Sequence, residues 1–205
     1  MLFLAIILSY LLGSIPTSYI MGRLWKGIDL REHGSGNVGA TNTFRVLGPA
    51  PGIIVLLADV LKGLVAVLFI SRLAISGPPS YEWIKVLCGM AAICGHIWTI
   101  FLKFKGGRGV ATSIGVFFGL VWQAIGIAFL IGIIIIFFTR YVSLGSILGA
   151  LAFPFLVAFL PFEWPLPYFW LALLAALLVV IKHIPNIKRL IKGKENRISF
   201  RRKRK

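Results

Sequence analysis

The sequence predicts an all-α, polytopic membrane protein of about seven transmembrane helices, two of them short. Three observations carry this. Of the 205 residues, 59% are hydrophobic and 14% charged, with a mean hydropathy of +0.93, whereas a soluble domain carries roughly 25% charged residues. The apolar residues fall into long runs, and about 20 such residues cross the hydrocarbon of a bilayer. The net charge of +16 gathers between those runs, as expected of a chain oriented by its cytoplasmic Lys and Arg. The same charge in a soluble chain would point to nucleic acid; here no nucleic-acid partner is expected.

Residues 1–21 form the first span. No basic segment precedes this apolar run and its first charge, Arg23, follows it, so it is a permanent span with its N-terminus outside rather than a cleaved signal. Pro16 is expected to bend it. Residues 22–52 are polar and hold Ser35-Gly-Asn-Val-Gly-Ala-Thr-Asn42. The second span, 53–70, carries Asp59 and Lys62, which share a helix face and are expected to pair. Residues 71–82, with Gly77-Pro78-Pro79, make a turn before the third span, 83–102, which has His96 near its lower end.

A basic, glycine-rich loop follows, Lys103-Phe-Lys-Gly-Gly-Arg-Gly-Val-Ala-Thr-Ser113. Beyond it, residues 113–138 are apolar throughout, 144–160 form another span, 161–167 a turn and 166–181 the last span. The tail, 182–205, holds eleven of the 22 Lys and Arg and is therefore cytoplasmic. The glycine-rich loop, three crossings from an outside start, is cytoplasmic too. An even number of crossings must separate loop and tail, yet only three apolar runs lie between them. Splitting residues 113–138 into two short helices near 122–126, or making them re-entrant, restores the parity. The domain division expected is one membrane domain, 1–195, and a basic tail, 196–205.

Every unusual polar segment then lies on one face: 35–45, 103–113, 140–143 and 182–195. They offer glycines, hydroxyls, amides, Arg, Lys and His with few carboxylates, which is the chemistry of a site for anions. The glycines Gly106, Gly107 and Gly109 free the backbone to turn N–H groups toward one point, beside Lys103, Lys105 and Arg108 and the start of an apolar helix at Val110. The spacing is not that of a Walker loop. No carboxylate pair suits glycosidase chemistry and no Cys/His cluster suggests zinc; Cys88 and Cys94 are expected to be core residues, and no metal or cofactor is expected. His96 is open to two readings, a general base or a packed histidine.

Ser35-Gly-Asn-Val-Gly-Ala-Thr-Asn42 with Arg45, then Gly95-His96 and Phe104-Lys-Gly-Gly-Arg-Gly-Val-Ala-Thr112, then His183-x-x-Asn186-Ile-x-Arg-Leu-x-x-Gly193-x-Glu195 resemble the three cytoplasmic motifs of the bacterial acyl-phosphate:glycerol-3-phosphate acyltransferases. The resemblance covers essentially the whole chain. One departure is Arg108, where the family usually has Lys. The resemblance implies transfer of a fatty acyl group from acyl phosphate to the 1-hydroxyl of glycerol 3-phosphate, giving lysophosphatidic acid and phosphate, by a protein of the bacterial inner membrane acting as a monomer. It implies Ser35, Arg45, Lys105, Ser143, His183 and Asn186 for glycerol 3-phosphate. For acyl phosphate it implies Gly106, Gly107, Arg108, Gly109, Thr112 and Asn37, with Asn42, Asp59, Lys62, Arg189 and Glu195 in support. His96 and His183 are the candidate catalytic histidines, neither assigned as a base. His96 is followed at i+5 by Phe101, so the His-x4-Asp dyad of other acyltransferases is absent. A good leaving group lessens the need for a base, and the departing phosphate can take the proton. The competing class is a transporter for organic phosphates, to which a weak echo between 37–42 and 108–113 lends support. Transporters place their sites near the bilayer midplane, however, and here the polar groups crowd one edge.

Overall fold

The computed structural model describes residues 1–74 and 80–198; the Gly77-Pro78-Pro79 turn and the last seven residues, with Arg201 to Lys205, lie outside the described residues. No strand occurs among the described residues. Helix α1 (Leu2–Ser14) stops at Ile15, because Pro16 supplies no N–H, and α2 (Thr17–Lys26) resumes beyond it. A short α3 (Ala40–Leu47) ends at Gly48, and Pro49 opens the long α4 (Pro49–Leu68). Then come α5 (Ser80–Ile97), α6 (Val110–Leu120), α7 (Trp122–Thr139), α8 (Val142–Phe159), α9 (Leu166–Lys182) and α10 (Ile184–Ile191).

Five helical stretches are long and apolar enough to cross a membrane: Leu2–Lys26, Pro49–Ala74, Ser80–Leu102, Trp122–Thr139 and Val142–Phe159. Helix α9 qualifies together with α10, from which it is bent by 55°. Helix α6 has 11 residues, roughly 16 Å of rise against a hydrocarbon core of about 30 Å. The expected break in 113–138 is present, at Val121, but the halves are unequal. Only α6 is short, and α7 runs for 18 residues.

Close contacts fix the relative directions. Gly63 of α4 lies against Thr112 and Val116, Gly115 against Val60 and Leu64, and Gly119 against Val67 and Leu68. The numbers rise together, so α4 and α6 run parallel. A Cβ on Gly115 would collide with the Val60 carbonyl; only glycine admits so close a backbone. Helices α1 and α5 are likewise parallel, with Gly13 on Ala92 and Gly95 on Tyr10 and Ser14. Helices α7 and α8 are antiparallel, since Gly145 meets Gly132 and Gly149 meets Ala128. Tyr168 at the start of α9 donates to Glu82 at the start of α5, so those two are parallel.

Directions therefore alternate from α4 through α9 and bring the loop before α6, the α7–α8 corner and the α9–α10 bend to one end. The core joins them: Phe117 and Phe153 pack with ring centroids 4.5 Å apart, among Ile93, Ile97, Val116 and Leu171. Cys88 is buried in a smaller cluster with Ala5, Ala74 and Ile84, and both cysteines are free.

Candidate active site

A narrow cleft opens at that end, lined by Ser35, Asn37, Thr41, Asn42, Arg45, Arg108, Ser143, Asn186, Arg189 and Glu195. Four separate stretches of chain build it. The loop before α3 is folded around Asn42, whose Oδ1 accepts from the Ser35 amide (2.8 Å) and hydroxyl (3.1 Å), while its Nδ2 donates to the Leu30 and His33 carbonyls at 3.1 and 3.0 Å. Asp29 anchors the loop below: Arg31 donates Nη2 to Oδ2 at 2.6 Å. That hydrogen bond outweighs burial and, with Arg23 nearby, holds the Asp29 carboxyl down to about 2.

Three guanidinium groups face the cleft, from Arg45, Arg108 and Arg189. Burial, then the like charges of Arg189 and Arg45, pull Arg108 down to about 10 despite the opposing pull of Glu195. The one carboxylate present is Glu195. It accepts from Ser143 Oγ (3.0 Å), Asn186 Nδ2 (2.7 Å) and Arg189 Nε (2.7 Å). Burial disfavours its charge, but these hydrogen bonds outweigh burial and hold its carboxyl below the usual range. The strand of chain carrying it is pinned to the α7–α8 corner by Arg197 Nε donating to Tyr141 Oη at 2.9 Å and Ile198 N donating to the Arg140 carbonyl.

The glycine-rich loop differs from its expected form. The Gly106 and Gly107 amides do not point at an anion: they donate to the Ile97 and His96 carbonyls at 3.1 and 3.0 Å, closing the end of α5. A Cβ on Gly107 would collide with the His96 ring. Gly109, at φ +83°, turns the chain into α6, and no side chain caps that helix start among the described residues. The Thr112 and Ser113 hydroxyls are buried there, without a hydrogen-bond partner among the described residues.

Other expected residues stand apart from the cleft walls. Lys105 is exposed. His183 is buried at the α9–α10 bend, with Nδ1 donating to the Val179 carbonyl at 2.8 Å; a carbonyl only accepts, so Nε2 is the acceptor of the neutral ring. Below the loop, Asp59 and Lys62 pair at 2.7 Å as their spacing predicts. The structure adds partners that no spacing shows. Thr17 Oγ1 donates to Asp59 at 2.6 Å, Lys62 also donates to the Ile15 carbonyl at the α1–α2 break, and His96 Nδ1 lies 3.7 Å from Asp59. Asp59 and His96 share a smaller pocket with Pro16, Thr17, Val38, Gly106 and Gly107. An Asp–His pair thus exists, assembled from two helices and not from the His-x4-Asp spacing. No group of His, Cys, Asp and Glu suited to a metal occurs among the described residues.

The family model described as Glycerol-3-phosphate acyltransferase matches residues 3–193. The chain is 48% identical over 198 residues to Glycerol-3-phosphate acyltransferase 2 of Moorella thermoacetica, covering 97% of this chain and 98% of that one. It is 47% identical to the Glycerol-3-phosphate acyltransferase of Halalkalibacterium halodurans, over 95% of this chain and 94% of the other. The fold is similar to the crystal structure of PlsY (YgiH), an integral membrane glycerol 3-phosphate acyltransferase, in its glycerol 3-phosphate form. The TM-score is 0.86 and the identity 36%, over 97% and 96% of the two chains. The lysophosphatidic acid form gives 0.84 and 35%, over 97% and 95%.

Proposed function

This chain belongs to the glycerol-3-phosphate acyltransferase family, and from that premise we propose that it draws its acyl group from acyl phosphate and delivers it to the 1-hydroxyl of sn-glycerol 3-phosphate. The observation that carries this is the cleft holding Arg45, Arg108 and Arg189 with one carboxylate. Three guanidinium groups crowded together repel one another, and two phosphorylated ligands are what would relieve that repulsion.

The acceptor phosphate falls to Ser35, Arg45 and Ser143, with Asn186 beside the glycerol. Lys105 and His183, set back from the cleft walls, support it, one by its positive charge and the other from the α9–α10 bend. The donor phosphate falls to Arg108, Asn37, Thr112 and the free N–H groups that open α6. Gly106 and Gly107 serve the donor through shape, letting the loop lie flat on the end of α5. In the reaction the 1-hydroxyl oxygen bonds to the acyl carbon, the bond from that carbon to the phosphate oxygen breaks, and phosphate leaves. The proton of the hydroxyl departs with the phosphate. Positioning and charge stabilisation supply most of the acceleration, since the leaving group is good. One chain provides the whole site, so a monomer suffices. The cleft faces the cytoplasm, with the N-terminus outside, in the bacterial inner membrane.

Purified protein given glycerol 3-phosphate should release one phosphate per lysophosphatidic acid from a long-chain acyl phosphate and be idle with acyl-CoA. Equal acylation from acyl-CoA would remove the donor assignment. Uptake of organic phosphate into vesicles without turnover would favour a transporter.

A further inference from the structure

Beside the cleft lies a surface that the reaction does not use. In residues 98–105, Trp98, Ile100, Phe101 and Phe104 are 38–58% exposed, and Lys103 is exposed among them. Lys103 and Phe104 hold φ of 53° and 61°, an uncommon conformation for such residues, and it turns both outward. Helix α10 adds a second exposed stripe. Its outward face carries Ile184, Pro185, Lys188 and Ile191, with Lys192 just beyond, and Ile191 is 81% exposed. The inward face carries Asn186 and Arg189 into the cleft. The two stripes adjoin, because Lys182 Nζ sits 5.9 Å from the Trp98 ring centroid.

Neither water nor hydrocarbon suits this collar. Water would leave Trp98, Phe101, Phe104 and Ile191 unburied, and hydrocarbon would strip the lysines of solvent. The headgroup zone satisfies both, with apolar bodies sunk toward the acyl chains and ammonium groups raised to the phosphates. The sign of the charge then selects among lipids. Lys103, Lys188 and Lys192 form no ion pair among the described residues. The one carboxylate after Ile181, Glu195, is turned inward onto Ser143, Asn186 and Arg189. Among the described residues after Ile181, Lys182, Lys188, Arg189, Lys192, Lys194 and Arg197 stand against Glu195 alone, so the field over the collar is positive.

We propose that this collar is a docking surface for the headgroups of anionic phospholipids of the surrounding bilayer, in preference to neutral ones. Docking there braces two segments that form the cleft, the glycine-rich loop from 103 and α10 with its Asn186 and Arg189.

The test reads binding and not turnover, so it stands apart from the donor assignment. Full-length protein is placed in bilayers of phosphatidylcholine with either brominated phosphatidylglycerol or brominated phosphatidylcholine, and tryptophan quenching is recorded. Subtracting the signal of Trp98→Phe isolates Trp98. At low salt the brominated phosphatidylglycerol should quench Trp98 more than its neutral counterpart. High salt should remove the difference, and Lys103→Gln/Lys188→Gln/Lys192→Gln should weaken the lipid preference about fivefold or more. Equal quenching of Trp98 by the two lipids at low salt would overturn the proposal. So would a difference that persists undiminished in Trp98→Phe, because it would then arise elsewhere. Should the triple variant fold poorly, the wild-type comparison and its salt dependence decide alone.

Discussion

Asn186 and Glu195 meet at 2.7 Å in the wall of the cleft, Nδ2 donating to the same Oε1 that accepts from Ser143 Oγ. A carboxylate can only accept here, so it fixes which way the Asn186 amide faces. It also ties α8, α10 and the chain after Gly193 to one point.

Replacing Glu195 by Gln should therefore disturb acceptor binding more than its distance from the reacting carbon suggests. The Gln amide can keep one acceptor but turns N–H groups toward Arg189 or Asn186. Losing a charge-assisted bond costs about 1.5–3 kcal/mol, so KM for glycerol 3-phosphate should rise about tenfold or more. An unchanged KM in folded protein would remove Glu195 from this role.

The two phosphate assignments separate kinetically. Arg45→Ala should raise KM for glycerol 3-phosphate or abolish activity, leaving donor affinity near its original value. Arg108→Ala should do the reverse, while Arg108→Lys stays active. Steady-state kinetics with each substrate varied in turn would show a swap if the phosphates were exchanged.

Asp59 and Lys62 form a buried pair at 2.7 Å. Asp59→Asn strands the ammonium group in the membrane domain and should destabilise by roughly 3–5 kcal/mol. Asp59→Asn combined with Lys62→Met should be less damaging than the sum of the single changes, since no uncompensated charge remains. Thermal unfolding of the four proteins in one detergent tests this; strict additivity would mean the pair is not coupled.

Stability should fall in acid, with the window opened by the buried His183 and deepened by Asp29 and Glu195. Both carboxyls are held below their ordinary values, Asp29 from 3.8 to about 2. A depressed carboxyl stabilises fully above its unfolded value and loses that contribution as pH drops through the folded one. Tm should be flat above about pH 6.5. Below that it should sag, because the unfolded His183 takes up a proton that the buried ring, lowered by desolvation to about 4, refuses. It should drop further below about 4.5 as the unfolded carboxyls protonate. Asp29→Asn should lower Tm at neutral pH and flatten the lower part of that decline.

Orientation has a direct check. A cysteine at Thr139 should react with an impermeant thiol reagent from the cytoplasm, and one at Glu163 from outside. The opposite pattern would invert the assigned sidedness.

Much of this molecule was legible in its sequence because membrane spans announce themselves by length and apolarity, and positive charge sorts the loops. Parity alone demanded the break that falls at Val121. The Asp59–Lys62 pair followed from i, i+3 spacing. What was not legible depended on partners far apart in the chain. Nothing in the sequence brings His96 beside Asp59, 37 residues earlier, or Thr17 onto the same carboxylate. The glycine-rich loop misled in one respect: it was expected to offer the Gly106 and Gly107 amides to an anion, but the carbonyls ending α5 needed donors and lay closer. Glu195 was expected only to support, and its place at the meeting point of Ser143, Asn186 and Arg189 required coordinates.

The 11-residue α6 has a consequence for how the chain is made. A segment that short carries too little apolar length to settle in a bilayer by itself as it emerges from the ribosome. Its seat is a face of α4, where Gly63 receives Thr112 and Val116 and where its own Gly115 lies against Val60. Helix α4 is synthesised some fifty residues earlier and is long enough to wait in the membrane. Retention of α6 is therefore an act of docking rather than of partitioning. A bulky residue at Gly63 or Gly115 would leave the nascent chain one crossing short and turn every later helix to the wrong side.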